Sequence, residues 1–264
     1  MRRLLIRPGA IGDTILSLPA LEAARGDYTE VWASRAVLPL IRFAGRTRAI
    51  ADTGLELVGV VEDARVAALE EFDSIYSWYG SNRPEFREAV RHLPFEFFPA
   101  LPPPSEGVPR IAVPPAPRQD FIAIHPFASS PAKRWPLENF RAVAASLGLP
   151  VQWTAGPGEP LEDAVRFEDL YDLARWLASA RLYIGNDSGI AHLAAAVGTP
   201  VLAIFLSSDP RIWSPRGKRV TVLASPSPES VLKACRLLLG NSAGGRGSVS
   251  DRQGAVSLTY RGIS

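Results

Sequence analysis

One stretch limits the possible folds more than any other: Leu182-Tyr-Ile-Gly-Asn-Asp-Ser-Gly-Ile-Ala-His-Leu-Ala-Ala-Ala-Val-Gly-Thr-Pro-Val-Leu-Ala-Ile-Phe205. Leu182 to Ile184 is a short apolar run suited to a strand buried on both faces. Gly185 to Gly189 is dense in turn and cap residues. Ile190 to Val197 is apolar and alanine-rich, so it can pack closely as a helix, and Gly198-Thr199-Pro200 stops it. Val201 to Phe205 is the next strand. In an open α/β sheet such a turn lies at the carboxyl edge of the strands, where ligands bind. Free N–H groups and the helix dipole favour an anion there, typically a phosphate. Asp187 or Ser188 can cap the helix. His192 falls about one turn past Ser188 on the same face. A plain structural reading, in which both residues only cap and His192 only packs, stays open on this stretch alone.

The same alternation runs along most of the chain. Strands are expected at Arg2 to Arg7, Glu30 to Ser34, Arg48 to Asp52, Asp73 to Trp78 and, weakly, Glu96 to Phe98. Helices are expected at Thr14 to Arg25 (with Pro19 as a kink or break), Ala36 to Phe43, Ala64 to Glu71 and Glu85 to His92. Eight prolines between Pro99 and Pro117 then interrupt the pattern. Such a run neither continues a helix nor sits inside a sheet, so it reads as a semi-rigid connector. Strands resume at Phe121 to His125, Val151 to Ala155, Leu182 to Ile184, Val201 to Phe205 and Arg219 to Leu223. Helices are expected at Pro136 to Leu147, Asp169 to Ser179 and Glu229 to Leu239. The expected organisation is therefore an α/β half over 1–98, a Pro-rich linker over 99–119, a second α/β half over 120–240, and a flexible tail over 241–264. Alternating strands and helices imply parallel sheets with right-handed crossovers.

Composition narrows the function. Hydrophobic residues make up 47% and charged residues 21% of 264, enough for a substantial core. The net charge of +2 is matched by Arg246, Arg252 and Arg261 against Asp251 in the tail. The body is balanced, which argues against a nucleic-acid-binding protein. Cys235 is the only cysteine, so no disulfide forms within the chain. His92, His125 and His192 have no recognisable metal-site spacing, and no metal is expected. The apolar part of the start is too short for a signal peptide, and no run of 18 apolar residues exists. A cytoplasmic protein is expected, with room for peripheral docking at a membrane surface.

Three further places could carry chemistry. Asp13 follows Gly12 in the first strand-to-helix loop, where an acid could take a proton from a substrate hydroxyl or merely cap the helix. Ser129, Ser130 and Lys133 put two hydroxyls and a cation in one loop. Lys133 could neutralise phosphate oxygens as a point charge, or the loop could simply be solvated over Trp135. Gly156-Pro157-Gly158-Glu159 ends a strand, and Glu159 could accept ribose hydroxyls or be an ordinary turn acid. Ser208 to Pro215 is a late Pro/Trp loop that could line the same cleft.

Arg7-Pro-Gly-Ala-Ile-Gly-Asp-Thr-Ile-Leu-Ser-Leu-Pro-Ala-Leu21 resembles the N-terminal motif of glycosyltransferase family 9, the ADP-heptose:lipopolysaccharide heptosyltransferases. Ser129 to Pro136 and Gly185 to His192 resemble that family's two C-terminal motifs, in the same order. The resemblance implies a GT-B fold, two Rossmann-like domains facing across a cleft. It implies inverting, metal-independent transfer of a sugar, heptose from ADP-heptose being expected, to a lipopolysaccharide core or related glycan. No cofactor is implied beyond the nucleotide-sugar substrate. The implied partners are that donor, a lipid-linked or glycan acceptor, and the inner face of the cell membrane as a peripheral contact. By resemblance Asp13 is the general base, and Lys133 holds the diphosphate with Ser129 and Ser130 in its loop. Asp187, Ser188, Gly189 and His192 form the nucleotide-diphosphate loop, and Glu159 binds the nucleoside. Phe127 departs from the family pattern, where glycine is common, and the N-terminal half is short. The alternative is a nucleotide-sugar-binding protein on the same scaffold that does not transfer. An epimerase would need a second acid/base residue beside Asp13, which the sequence does not offer.

Overall fold

The computed structural model describes residues 1–61, 66–99 and 107–240. The expected tail, part of the connector and the start of the expected 64–71 helix lie outside the described residues. The first half contains β1 (Arg2–Arg7), α1 (Ile11–Ala23), β2 (Tyr28–Ala33), β3 (Arg46–Ala49), β4 (Ser74–Ser77), α2 (Pro84–Ala89) and β5 (Phe95–Phe97). The second contains β6 (Ile122–His125), α3 (Leu137–Ala145), β7 (Val151–Trp153), α4 (Leu170–Ser179), β8 (Leu182–Asn186) and α5 (Gly189–Ala196). It continues through β9 (Val201–Phe205), α6 (Pro210–Trp213), β10 (Val220–Ala224) and α7 (Pro228–Gly240).

Two parallel five-stranded sheets result, ordered β3-β2-β1-β4-β5 and β10-β9-β8-β6-β7. Order reverses at β1/β4 in the first sheet and at β6/β8 in the second. Crevices open at such points beyond the carboxyl ends of the strands. Central strands are apolar and buried: Leu4 to Ile6, Ile122 to Ile124, Leu182 to Ile184 and Val201 to Phe205. One core lies on the far face of each sheet. A third joins the halves, with Ile15, Leu18 and Leu21 of α1 beside Leu177 of α4 and Ala191, Leu193 and Ala194 of α5.

Several expectations need correction. α1 starts three residues early, at Ile11, because the Ala10 carbonyl accepts Thr14 N–H at 3.2 Å. Pro19 sits inside α1 without ending it, flanked by the buried Leu16, Leu18 and Leu21 whose packing holds both turns. The expected helix at 36–43 is a 3-10 segment, Arg35–Leu40, with Pro39 inside it. The described part of the expected helix at 64–71 is likewise 3-10, Ala67–Glu71. Segments this short bury too narrow an apolar face to repay helix nucleation. The third strand lies two residues earlier than expected and turns into a 3-10 segment at Ile50–Asp52. Pro136 is the N-cap of α3, not a residue of its first turn. α7 packs on α3, β8 and β9, so it covers the second sheet.

Candidate active site

The site is built where two helix starts meet. α1 follows β1 and α5 follows β8, and their N-termini touch. A Cβ on Gly189 would lie 2.6 Å from Ile11 Cβ, and one on Gly12 would lie 3.1 Å from His192 Cδ2. Gly189 therefore needs to be glycine for close helix approach, and Gly12 packs tightly against α5.

Asp13 stands in the first turn of α1, not in the loop before it. Its Oδ2 accepts the Ala10 N–H at 2.9 Å, so it closes its own helix start. Arg7, buried at the end of β1, braces this turn. Its guanidinium donates to Ser17 Oγ at 2.8 Å, the Pro8 carbonyl at 2.7 Å and the Asp13 carbonyl at 3.3 Å. Burial lowers the Arg7 pKa, and the Asp13 charge opposes that shift.

The start of α5 is finished differently. Ser188 occupies the N-cap, but its side chain makes no capping bond. Asp187 does not cap either. Its Oδ2 accepts Lys133 Nζ at 2.6 Å and the Ser208 hydroxyl. Lys133 ends a 3-10 turn, Pro131–Lys133, opened by the partly buried Ser130, with Ser129 exposed beside it. Asn186 fixes that loop to β8: its Oδ1 accepts Trp135 N–H at 2.9 Å and its Nδ2 donates to the Pro126 carbonyl at 2.8 Å.

Glu159 lies beyond the neighbouring strand β7. Its Oε2 accepts from the Gly156 N–H at 2.5 Å and meets His125 Nε2 at 3.0 Å. Burial pushes its pKa up, but the His125 bond, the Gly156 N–H and the charge of Arg134 outweigh that and hold the carboxyl below its ordinary value. His192 is buried against Gly12, and burial drives its pKa down to about 4. Asp187 and Asp13 oppose that shift, while Arg216 and Lys133 add to it. The imidazole is therefore neutral near pH 7.

Asp13, Lys133, Glu159, Asp187, Ser188, Gly189 and His192 thus gather at the carboxyl ends of β1, β6, β7 and β8, with Ser129 and Ser130 on the rim. Sequence reasoning missed the partners Arg7, Asn186 and His125 in its bond to Glu159, and it named the loop from Ser208 as a cleft lining without seeing that serine's bond to Asp187. An arginine after the three apolar positions Leu4, Leu5 and Ile6 of β1 was the one available signal. A separate cavity of about 790 Å³ lies at the other end of the α1–α5 seam, lined by Glu22, Phe43, Ile111 and Val197 among others. It is away from these residues. Among the described residues no group of three or more His, Cys, Asp or Glu could hold a metal ion.

Residues 168–237 match the family described as glycosyltransferase family 9 (heptosyltransferase). Lipopolysaccharide heptosyltransferase 3 of Escherichia coli is 32% identical over 119 residues, 37% of this chain and 34% of that protein. The chain thus spans about a third of the length of the curated relatives it matches. Among solved structures, the ADP-heptose lps heptosyltransferase II of E. coli superposes with a TM-score of 0.69 at 18% identity, covering 92% of this chain and 100% of that one. An E. coli heptosyltransferase solved with ADP gives 0.62 at 16% identity, over 90% and 100%. Those likenesses show the fold: two Rossmann-like halves in the GT-B arrangement.

Proposed function

We propose that the chain is a member of glycosyltransferase family 9, whose model matches residues 168–237, and that it transfers a sugar from a nucleotide-linked donor to a glycan hydroxyl. The donor proposed is ADP-heptose, the acceptor a lipopolysaccharide core or related glycan. The reading rests above all on one observation. A helix start left open by its own side chains, with Lys133 at its edge, abuts the helix that carries Asp13.

The donor diphosphate sits at the N–H groups opening α5, where dipole and cation both favour negative charge. Lys133 leaves Asp187 for the phosphate oxygens. Glu159, held as carboxylate, accepts ribose hydroxyls. Asp13 takes the proton of the acceptor hydroxyl, and that oxygen attacks the anomeric carbon from the face opposite the diphosphate. The carbon–oxygen bond to the diphosphate breaks with its electron pair, and the configuration inverts. Lys133 and the α5 N–H groups stabilise the charge that grows on the leaving phosphate. The step calls on no metal and no cofactor. Residues 1–98 present the acceptor. No described helix is long and apolar enough to cross a membrane, and the setting proposed is the cytoplasm with peripheral contact at the inner face of the cell membrane.

The test is calorimetric titration of wild type and Lys133→Ala with ADP, UDP and GDP, with and without chelator, followed by ADP-heptose turnover in wild type and Asp13→Asn. Chelator-insensitive ADP binding, weakened at least tenfold by Lys133→Ala, with turnover lost in Asp13→Asn, supports the reading. Binding without turnover in wild type points to the non-transferring alternative. No nucleotide binding sinks the donor site.

A further inference from the structure

Asp187 is 5% exposed. A carboxylate so placed needs partners, because leaving a buried charge unpaired is costly. Among the described residues two donate to it, Lys133 Nζ at 2.6 Å and the Ser208 hydroxyl, both on the same oxygen, Oδ2. The two come from different directions. Lys133 is on the loop after β6, and Ser208 is on the loop after β9. The Lys133 side chain is 30% exposed and so has room to move, whereas the Ser208 hydroxyl reaches only as far as its short stem allows.

We propose that Ser208 is a positioning residue that makes the Lys133–Asp187 pair exchangeable. Without ligand the pair is a latch holding the ammonium at the rim of the α5 start. When a diphosphate arrives, Lys133 turns to it and Asp187 keeps the Ser208 bond. The buried carboxylate is then never left without a donor. Removing the Ser208 hydroxyl concentrates Asp187 on Lys133 alone and makes release costly. The latch stands on the geometry. Its use in donor binding rests on the function proposed above.

The experiment compares wild type, Ser208→Ala, Ser208→Thr and Asp187→Asn in two readouts. The first is the rate at which the Lys133 amine is acylated by an N-hydroxysuccinimide ester without nucleotide, followed by mass spectrometry. The second is ADP affinity by calorimetry, with KM and kcat for ADP-heptose. The expected result is slower Lys133 labelling in Ser208→Ala and faster labelling in Asp187→Asn than in wild type. ADP affinity should fall about tenfold in Ser208→Ala, with KM rising and kcat nearly kept, and should return to within threefold in Ser208→Thr. Unchanged labelling and affinity in Ser208→Ala overturn the inference while leaving the function standing. Faster Lys133 labelling in Ser208→Ala with a lowered melting temperature also overturns it, because the serine is then only a prop for its loop. A wild type that binds neither ADP, UDP nor GDP sinks the functional reading instead, and the labelling comparison still decides the latch.

Discussion

Two helix starts meet at the carboxyl edges of the two sheets, and their own side chains treat them differently. α1 uses its own acid: Asp13 accepts the Ala10 N–H, and the buried Arg7 ties in the Pro8 and Asp13 carbonyls. α5 has two residues suited to capping, and neither does so. Ser188 makes no side-chain capping bond, and Asp187 is turned toward Lys133 and Ser208. The positive end of α1 is thus partly neutralised from within, and that of α5 is offered to a ligand. On the function proposed above, the anion is placed at α5 and the acid at α1 serves a hydroxyl rather than a phosphate.

The largest expected effect breaks the chemistry of the first start while sparing its structure. Asp13→Asn keeps an oxygen for the Ala10 N–H but cannot take a proton. Turnover of ADP-heptose should fall about 10³-fold, with a melting temperature close to wild type. An equal fall in both would make Asp13 a cap and nothing more.

Pushing the two starts apart comes next. Gly189→Ala places a Cβ 2.6 Å from Ile11 Cβ, and overpacking of this kind costs about 1–3 kcal/mol. Urea unfolding should show that loss. Gly148→Ala, where nothing lies within 4 Å, should not.

His192, packed between the starts, links them to pH. Its folded pKa of about 4 lies below the ordinary 6.5, so below pH 6.5 the unfolded chain takes up a proton that the folded chain refuses. Stability is whole above pH 6.5 and is lost as pH falls toward 4. Between pH 7 and pH 5 the histidine alone should remove about 2 kcal/mol. Urea unfolding of wild type and His192→Gln at both pH values isolates it. A wild type with no steeper pH dependence than the variant overturns the assignment.

The smallest effect sharpens the comparison most directly. Asp169 caps α4 through the N–H groups of Tyr171 and Asp172 at 2.7 and 2.9 Å, so Asp169→Ala should cost about 1 kcal/mol. Ser188→Ala should cost less than about 0.5 kcal/mol because no capping bond is lost. A full capping cost at Ser188 would mean that the α5 start is closed in solution.

Much of the second half was legible in the chain. The apolar runs at Ile122 to Ile124, Leu182 to Ile184 and Val201 to Phe205, each bounded by turn residues, read as buried strands, and they are. The helix expected from Asp169 to Ser179 is there, starting one residue later with Asp169 as its N-cap. The first half was less legible. Pro39, and runs too short to sustain an amphipathic stripe, turned expected helices into 3-10 segments. Pro19, expected to disturb α1, was overridden by the packing around it. The candidate residues Asp13, Lys133, Glu159 and Asp187 were visible as residues. Their partners were not.

By itself the chain determined what depends on near neighbours: where buried strands run, where glycine and proline stop a helix, and which loops hold acids, hydroxyls and a lysine at the sheet edge. Backbone preference and hydrophobic period act over a few residues, so they can be read from a few residues. Tertiary structure alone decided that Asp187 is an ion-pair partner and not a cap, because Lys133 is 54 positions away and meets it only once β6 and β8 pair. It alone decided that Gly12 faces His192 and that Ser208 holds Asp187, because those contacts exist only where two helices and three loops converge.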